Sequence, residues 1–187
     1  MAMKLKLTNP FRKTFTQKQL ATFRFFSKVY LFKDLTNDEL DEFSPYLHLR
    51  TYQKNEAIFF RNDPSQALYI IKDGRLELTL DVKDSFETLA YVRKYTSVGN
   101  NALLERTKRH FNTIVASEEA RIYVIPQVNI LEIFQANKDI KSKMLMALAE
   151  LNDRNTHFLF KTYQNNFGFF DLGQAYIASF RSLEFNK

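Results

Sequence analysis

The sequence predicts a mainly β protein, an antiparallel jelly roll with helices before and after it. From His48 to Ile125, apolar residues recur with a period of two in short runs rich in Ile, Val, Tyr and Phe. Turn formers separate these runs, and the period on either side of the region is that of a helix. Seven or eight strands at this spacing are typical of a sandwich or jelly roll.

The composition indicates one folded domain with small appended elements. The chain has 187 residues, of which 45% are hydrophobic, so it can bury a sizeable core. It contains no Cys, which excludes disulfides, zinc ribbons and thiol chemistry. No apolar run is long enough to span a bilayer and no signal-peptide pattern is present. We therefore expect a cytoplasmic protein without a transmembrane segment.

The net charge of +6 is unevenly distributed along the chain. Residues 1–33 contain eight Lys and Arg residues and no acidic residue, so the rest of the chain sums to −2. The basicity therefore lies in an N-terminal arm and its helix. This arm could contact nucleic acid, anionic lipid or an acidic partner, or it could simply be a solvated face.

Two helices are predicted ahead of the strands. In residues 16–31, apolar side chains recur at intervals of three and four, and Thr16 and Gln19 match a Thr-x-x-Gln capping box. Residues 36–43 predict a second, shorter helix that begins with a threonine cap and has Glu39 at its third position.

The β region is predicted to contain strands joined by tight turns. Asn55 and Asn62 tolerate the left-handed conformation that such turns require, and residues 100–109 interrupt the strand pattern with a helical one. The predicted strands lie in the segments LHLRTY, EAIFFR, ALYIIKDG, RLELTLDV, TLAYVRKY, NTIVAS and ARIYVI.

The helical period returns after Pro126. Residues 128–134 predict a short helix, and residues 140–151 predict a longer one whose apolar face could pack on the core or form the seam of a homodimer. The remaining residues form an aromatic-rich tail that we expect to fold back or to pack on a partner. The predicted parts are a basic arm and helix (1–30), a folded domain (31–151) and a tail (152–187).

Three stretches of this chain carry a family resemblance, in the right order and spacing. LFKDLTNDELDEF is similar to a leading helix LF-x-x-L-x-x-x-E-L, LYIIKDGRLEL to a hairpin with Gly74 in its turn, and VGNNALL to a phosphate cassette FGE-(I/L)-ALL. Together they resemble the cyclic nucleotide-binding domain family, which includes the catabolite activator and the regulatory subunits of cyclic-AMP-dependent kinase. The resemblance covers about residues 30–150. It implies a β-roll, cAMP or cGMP as ligand, and a regulatory rather than an enzymatic role.

The resemblance also implies which residues contact the ligand. In the family, the cassette wraps a cyclic phosphate with backbone N–H groups at the start of a short helix, here those of Asn101, Ala102 and Leu103. Gly99 would permit the close approach of the backbone, and the small Ala102 would let the phosphate sit close. Asn100 stands where the family has a glutamate that accepts hydrogen bonds from the ribose hydroxyl.

The family places an arginine that pairs with the phosphate nine or ten residues after this glutamate. That distance gives Arg109 or His110 in this chain, and we favour Arg109. If Thr113 is aligned with the threonine that begins the family's next strand, His110 and not Arg109 falls at the arginine position. A one-residue bulge after Arg109 would make both alignments compatible. Arg109 could also belong, with Arg106 and Lys108, to a solvated basic turn.

The asparagine at position 100 predicts weakened binding of the nucleotide. Hydrogen bonds to charged groups contribute about 1.5–3 kcal/mol and neutral ones about 0.5–1.5 kcal/mol. The exchange should therefore lower affinity about five- to tenfold. The alternative function is an interaction scaffold with a vestigial nucleotide pocket, which would bind a protein or an anionic surface through its basic arm and aromatic tail.

Other function classes lack support in the sequence. His48, His110 and His157 are far apart in the chain, so no metal site is predicted. No P-loop and no Ser/His/Asp pattern is present, so we expect no enzyme. The 36 residues after Leu151 lack a helix-turn-helix pattern, so we expect an effector protein as partner and no sequence-specific nucleic-acid binding.

Overall fold

A computed structural model describes residues 13–82 and 85–167, and the architecture is the predicted β-roll flanked by helices. Residues 1–12 of the predicted basic arm and residues 168–187 of the predicted tail lie outside the described residues. The chain divides into two compact units, of which the first ends at Leu148 and contains the β-roll.

Within the described residues, helices and strands follow one another in the order that the sequence predicts. The helices are α1 (Gln17–Phe26), α2 (Asn37–Asp41), α3 (Gln127–Ala136) and α4 (Lys138–Phe167), and short 3₁₀ turns lie at Tyr30–Phe32, Ser44–Tyr46 and Asn100–Leu103. The strands are β1 (His48–Gln53), β2 (Ala57–Phe59), β3 (Ala67–Asp73), β4 (Arg75–Val82), β5 (Ser85–Arg93), β6 (Ser97–Val98), β7 (Asn112–Val115) and β8 (Glu119–Pro126).

The strands form two four-stranded antiparallel sheets, with the orders β1-β8-β3-β6 and β2-β7-β4-β5. Neighbours in each sheet are mostly distant in sequence, as in a jelly roll. Because alternate side chains of a strand point to one face, the apolar positions of the period-two pattern collect in one core. The buried members of this core are Phe59, Ala67, Ile71, Leu76, Val98, Val115, Ala120, Ile122 and Val124.

Both predicted capping boxes are present at the N-terminal helices. The Thr16 hydroxyl accepts from the Gln19 N–H at 3.2 Å, and the Gln19 side chain accepts from the Thr16 N–H at 2.9 Å. Thr36 and Glu39 make the same pair of bonds at 3.3 and 2.7 Å. Each box satisfies two helix N–H groups that have no partner within the helix.

The first helix is shorter than predicted. It ends at Phe26, and a separate 3₁₀ turn begins at Tyr30. Between them, Val29 is extended and buried, which bends the chain so that the rings of Phe26 and Phe32 meet edge to face at 5.1 Å. Core packing therefore overrides the continuous helical period of residues 16–31.

The C-terminal helices are separated by Asn137. Its side-chain oxygen accepts hydrogen bonds from the N–H groups of Asp139 and Ile140, at 3.1 and 3.2 Å, and so caps the start of α4. The first turns of α4 bury Ile140 and Met144 in the first unit. In the second unit, which begins at Ala149, the side chains of residues 152–159 are exposed.

An ion pair holds α4 to α2 within the first unit. The Lys143 ammonium donates to both carboxylate oxygens of Glu39, at 2.7 and 2.8 Å, while Glu39 also completes the capping box of α2 with Thr36. Partial burial raises the pKa of Glu39, but the hydrogen bonds from Lys143 and Thr36 outweigh it, so the net pKa is lowered. The charged form of Glu39 is therefore the one that stabilises the fold.

We expect Lys143→Ala to lower the free energy of unfolding by about 1 kcal/mol at pH 7. Because the folded pKa of Glu39 is depressed, its contribution is present above the unfolded pKa and is lost as the pH falls through the folded value. The difference between wild type and variant in urea unfolding should therefore shrink below about pH 4.3. The exposed Lys141→Ala, on the same helix, is the control. A pH-independent difference would contradict the assignment.

Two of the predicted turns are confirmed in their backbone conformation. Asn55 and Asn62 both have φ of 68°, in the left-handed region that asparagine tolerates. Tyr95 and Arg106 also have positive φ, at 69° and 56°. Their residue types give no signal for this conformation, so it is not predictable from the sequence.

Candidate ligand-binding site

The predicted cassette is a tight turn, residues 99–104, which we call the cassette turn. Gly99 has φ 72° and ψ 32° and precedes the 3₁₀ turn. The Ala102 N–H donates to the Gly99 carbonyl at 2.9 Å, so this amide is engaged within the turn. The side-chain nitrogen of Gln127 donates to the carbonyls of Ala102 and Leu104, at 3.1 and 2.8 Å. These bonds fix the cassette turn to the start of α3.

Arg109 is buried against the cassette turn, with 2% of its surface exposed. Its Nη1 donates to the Gly99 carbonyl at 3.0 Å and to Asn101 Oδ1 at 3.2 Å, and its Nη2 donates to the Ala67 carbonyl at 2.6 Å. Among the described residues, no carboxylate forms an ion pair with the guanidinium, and its Nε has no hydrogen-bond partner. The cation is thus held by three neutral acceptors, and two of its five N–H donors, including that of Nε, are left over.

Two aromatic rings and one turn complete the surroundings of Arg109. Its Cζ lies 4.5 Å from the Phe59 ring centroid and 5.6 Å from that of Tyr69. Its backbone N–H donates to the Asp63 carbonyl at 2.8 Å, and its carbonyl accepts from the Asn62 N–H at 2.9 Å. Burial lowers the pKa of Arg109, while Tyr69 and Asp63 raise it, and a guanidinium stays charged in such surroundings.

A cavity of about 250 Å³ opens beside the guanidinium. Its charged groups are Arg109 and Asp63, and its lining residues are Ile58, Phe59, Asp63, Pro64, Gln66, Tyr69 and Arg109. A larger cavity of about 370 Å³ lies among the helices, but its lining includes the carboxylates of Asp41, Glu42 and Glu132. The cavity beside Arg109 is therefore the better candidate for an anionic ligand.

The structure brings some of the predicted site residues together and leaves others apart. Asn100 follows Gly99 in the cassette turn, and its Oδ1 is buried without a hydrogen-bond partner in the part of the chain that the structure describes. Leu103 packs in the interior with 2% exposure. Thr113 is fully buried, and its hydroxyl also lacks a partner. His110 is exposed and does not line the cavity beside Arg109.

Sequence reasoning missed four contributors to this site. Phe59 and Tyr69 stand at apolar positions of predicted strands, so their period assigned them to the core and not to a cation. The Ala67 carbonyl is a backbone group and leaves no trace in the sequence. The side chain of Asn101 contacts Arg109, whereas the cassette resemblance drew attention only to its backbone amide.

Two negative findings apply to the part of the chain that the structure describes. No three His, Cys, Asp or Glu side chains gather there as ligands of a metal ion. None of its helices has both the length and the apolar composition needed to cross a membrane.

Comparison with known proteins gives a family match and curated relatives at low identity. Residues 49–137 match a family model described as the cyclic nucleotide-binding domain. A protein of Rhodopseudomonas palustris, named as a candidate potassium channel protein, is 24% identical over 129 residues. The aligned part is 69% of this chain but only 31% of that relative.

Solved structures share the fold at low sequence identity. The catabolite activator protein of Thermus thermophilus is 21% identical over 72% of this chain and 63% of its own, with a TM-score of 0.61. The N-terminal domain of a Streptomyces coelicolor transcriptional regulator is 18% identical over 70% and 93%, with a TM-score of 0.61. The regulatory domain of Toxoplasma gondii PKA, crystallised with cAMP, is 17% identical over 70% and 49%, with a TM-score of 0.59.

Proposed function

Residues 49–137 belong to the cyclic nucleotide-binding domain family, and from this premise we propose that the chain is a regulatory module that binds cAMP or cGMP beside Arg109. The observation that carries the proposal is a buried guanidinium that pairs with no carboxylate of residues 13–82 and 85–167. Burying an unpaired charge is costly, and a ligand that brings a negative charge relieves the cost. A cyclic phosphate is such a ligand.

The two donors that Arg109 has left over support phosphate as the anion. A guanidinium has five N–H donors in a planar fork, and three of them are used by the protein. The unpartnered Nε lies on the edge that pairs with phosphate oxygens side by side. In this proposal the backbone amide of Asn101 contributes at the cassette turn, while the amides of Ala102 and Leu103 would first have to leave their bonds within the 3₁₀ turn.

Asn100 is the proposed contact for the ribose hydroxyl. Its buried oxygen has no partner among the residues that the structure describes, so a hydroxyl donor there would satisfy it. The bond would be weaker than one to a glutamate, because asparagine is shorter and neutral. We therefore propose a binding module of reduced affinity, with Arg109 rather than His110 at the phosphate. The Thr113 hydroxyl on β7 is also buried without a partner among the described residues.

The proposed output of the module is a contact with another protein. The exposed Met146 lies on α4, and this helix is where a second copy or an effector would bind. The alternative function, an interaction scaffold with a vestigial pocket, is favoured by one observation. Three donors of Arg109 are already committed to acceptors of the protein itself, which would also be the arrangement of a pocket that no longer binds.

Titration calorimetry with cAMP and with cGMP tests the proposal, after mass spectrometry shows the protein free of copurified nucleotide. We expect saturable binding to the wild type and about five- to tenfold tighter binding to Asn100→Glu, because a carboxylate accepts the ribose hydroxyl more strongly. The linear nucleotides AMP and GMP serve as controls. The proposal is contradicted if neither cyclic nucleotide gives binding heat up to millimolar concentration and Asn100→Glu does not restore binding. The interaction scaffold with a vestigial pocket would then be the favoured function.

A further inference from the structure

The side chain of Asn101 joins the two ends of the segment between the cassette turn and Arg109. Its Oδ1 accepts from Arg109 Nη1 at 3.2 Å, and its Nδ2 donates to the Lys108 carbonyl. The Asn101 backbone is fixed as well, since its carbonyl accepts from the Thr107 hydroxyl at 2.7 Å and from the Leu104 N–H at 3.0 Å. Asn101 is therefore fixed by several hydrogen bonds, and its side chain in turn restrains the guanidinium of Arg109.

The bond from Asn101 completes the positioning of the guanidinium plane. Both N–H groups of Nη1 are used, one by Gly99 and one by Asn101, while Nη2 donates to Ala67. With these three acceptors in place, the guanidinium cannot rotate without breaking a bond, and its Nε edge keeps one orientation. Such preorganisation lowers the conformational entropy that the arginine side chain would otherwise lose when an anion binds.

The chemical type of Asn101 matters as much as its position. A carboxamide offers an acceptor to Arg109 and a donor to the Lys108 carbonyl, which neither an apolar nor an acidic side chain can do. Because the carboxamide is neutral, it holds the cation without cancelling its charge. The cassette pattern FGE-(I/L)-ALL has an apolar residue at this position, so the contact is a departure of this chain.

We propose that Asn101 is a positioning residue, whose neutral side chain fixes the Arg109 guanidinium in the orientation that receives the phosphate. The proposal rests on the proposed function. In this proposal the Asn101 side chain contributes to affinity although it contacts Arg109 and not the nucleotide.

A double-mutant cycle tests this role. Asn101→Leu should weaken cyclic nucleotide binding about tenfold in the wild-type background, by loss of one charge-assisted bond and of orientation. In the Arg109→Lys background the same change should cost less than about twofold, because the guanidinium that Asn101 positions is absent. Equal losses in both backgrounds, or no loss in the wild type, would overturn the proposal. Asn152→Leu, at an exposed position of α4, is the matched control.

A second measurement needs no ligand. The Arg109 Nε–H is buried, so its exchange with solvent, followed by nitrogen-edited NMR, should be slow in the wild type and faster in Asn101→Leu. Unchanged exchange in this variant would overturn the positioning role. If the wild type binds neither nucleotide while exchange accelerates as expected, the proposed function fails and the positioning of Arg109 stands.

Discussion

Arg109→Lys should weaken the binding of cyclic nucleotide about 100-fold or more, even though it keeps the positive charge. The guanidinium donates to Gly99, Asn101 and Ala67 and still has its Nε donor left. An ammonium has three donors and no plane, so it cannot serve the same acceptors and also present an ordered pair of donors to a phosphate. Calorimetric titration measures the loss.

The neighbouring Lys108→Ala is the control for this prediction. Lys108 is exposed and belongs to the same basic segment, so its loss removes a charge near the site without removing a contact of its side chain. We expect less than about a threefold change in affinity, since exposed charges act weakly through water. Equal losses of affinity for Arg109→Lys and Lys108→Ala would contradict a specific role of Arg109. They would favour the alternative interpretation, in which Arg106, Lys108 and Arg109 form a solvated basic turn.

The fold was predictable because its signals are local and repeated. The period of two places apolar side chains on one face of each strand, and the capping boxes at Thr16 and Thr36 mark helix starts through neighbouring residues. Strand β6, with two residues, is too short to show any period. The break between Phe26 and Tyr30 depends on rings that meet only after folding. Such a tertiary contact between side chains cannot be predicted from the local sequence pattern.

The candidate site was predictable in its position but not in its internal bonding. The resemblance of VGNNALL selected the cassette turn, and counting from Asn100 selected Arg109, which lies buried at that turn. The count left His110 open, and the structure places it at the surface. The acceptors of Arg109 include two backbone carbonyls, and every residue type has one. Spacing alone therefore gives no information on which carbonyls hold the guanidinium.

Gly99 links the fold to the site, because its missing side chain leaves the space that the guanidinium fills. A Cβ built at Gly99 would lie 2.2 Å from Arg109 Nη1 and 3.0 Å from its Cζ. The backbone also has a φ of 72°, which costs a residue with a side chain about 1–2 kcal/mol. The family resemblance assigns this glycine to the approach of a phosphate, whereas in the structure the nearest group is the guanidinium of Arg109.

Gly99→Ala should therefore lower the free energy of unfolding by about 2–4 kcal/mol, by backbone strain and by hydrogen bonds lost from Arg109. It should also abolish nucleotide binding by the molecules that remain folded, because the guanidinium has to leave its place. Gly74→Ala is the matched control: φ there is 91°, and a Cβ would lie 2.6 Å from the Glu119 carbonyl, in the turn between β3 and β4. This variant should lose comparable stability in urea unfolding yet keep its affinity at temperatures where it is folded. If both variants lose stability and both keep their affinity, the guanidinium beside Gly99 is not the group that receives the ligand.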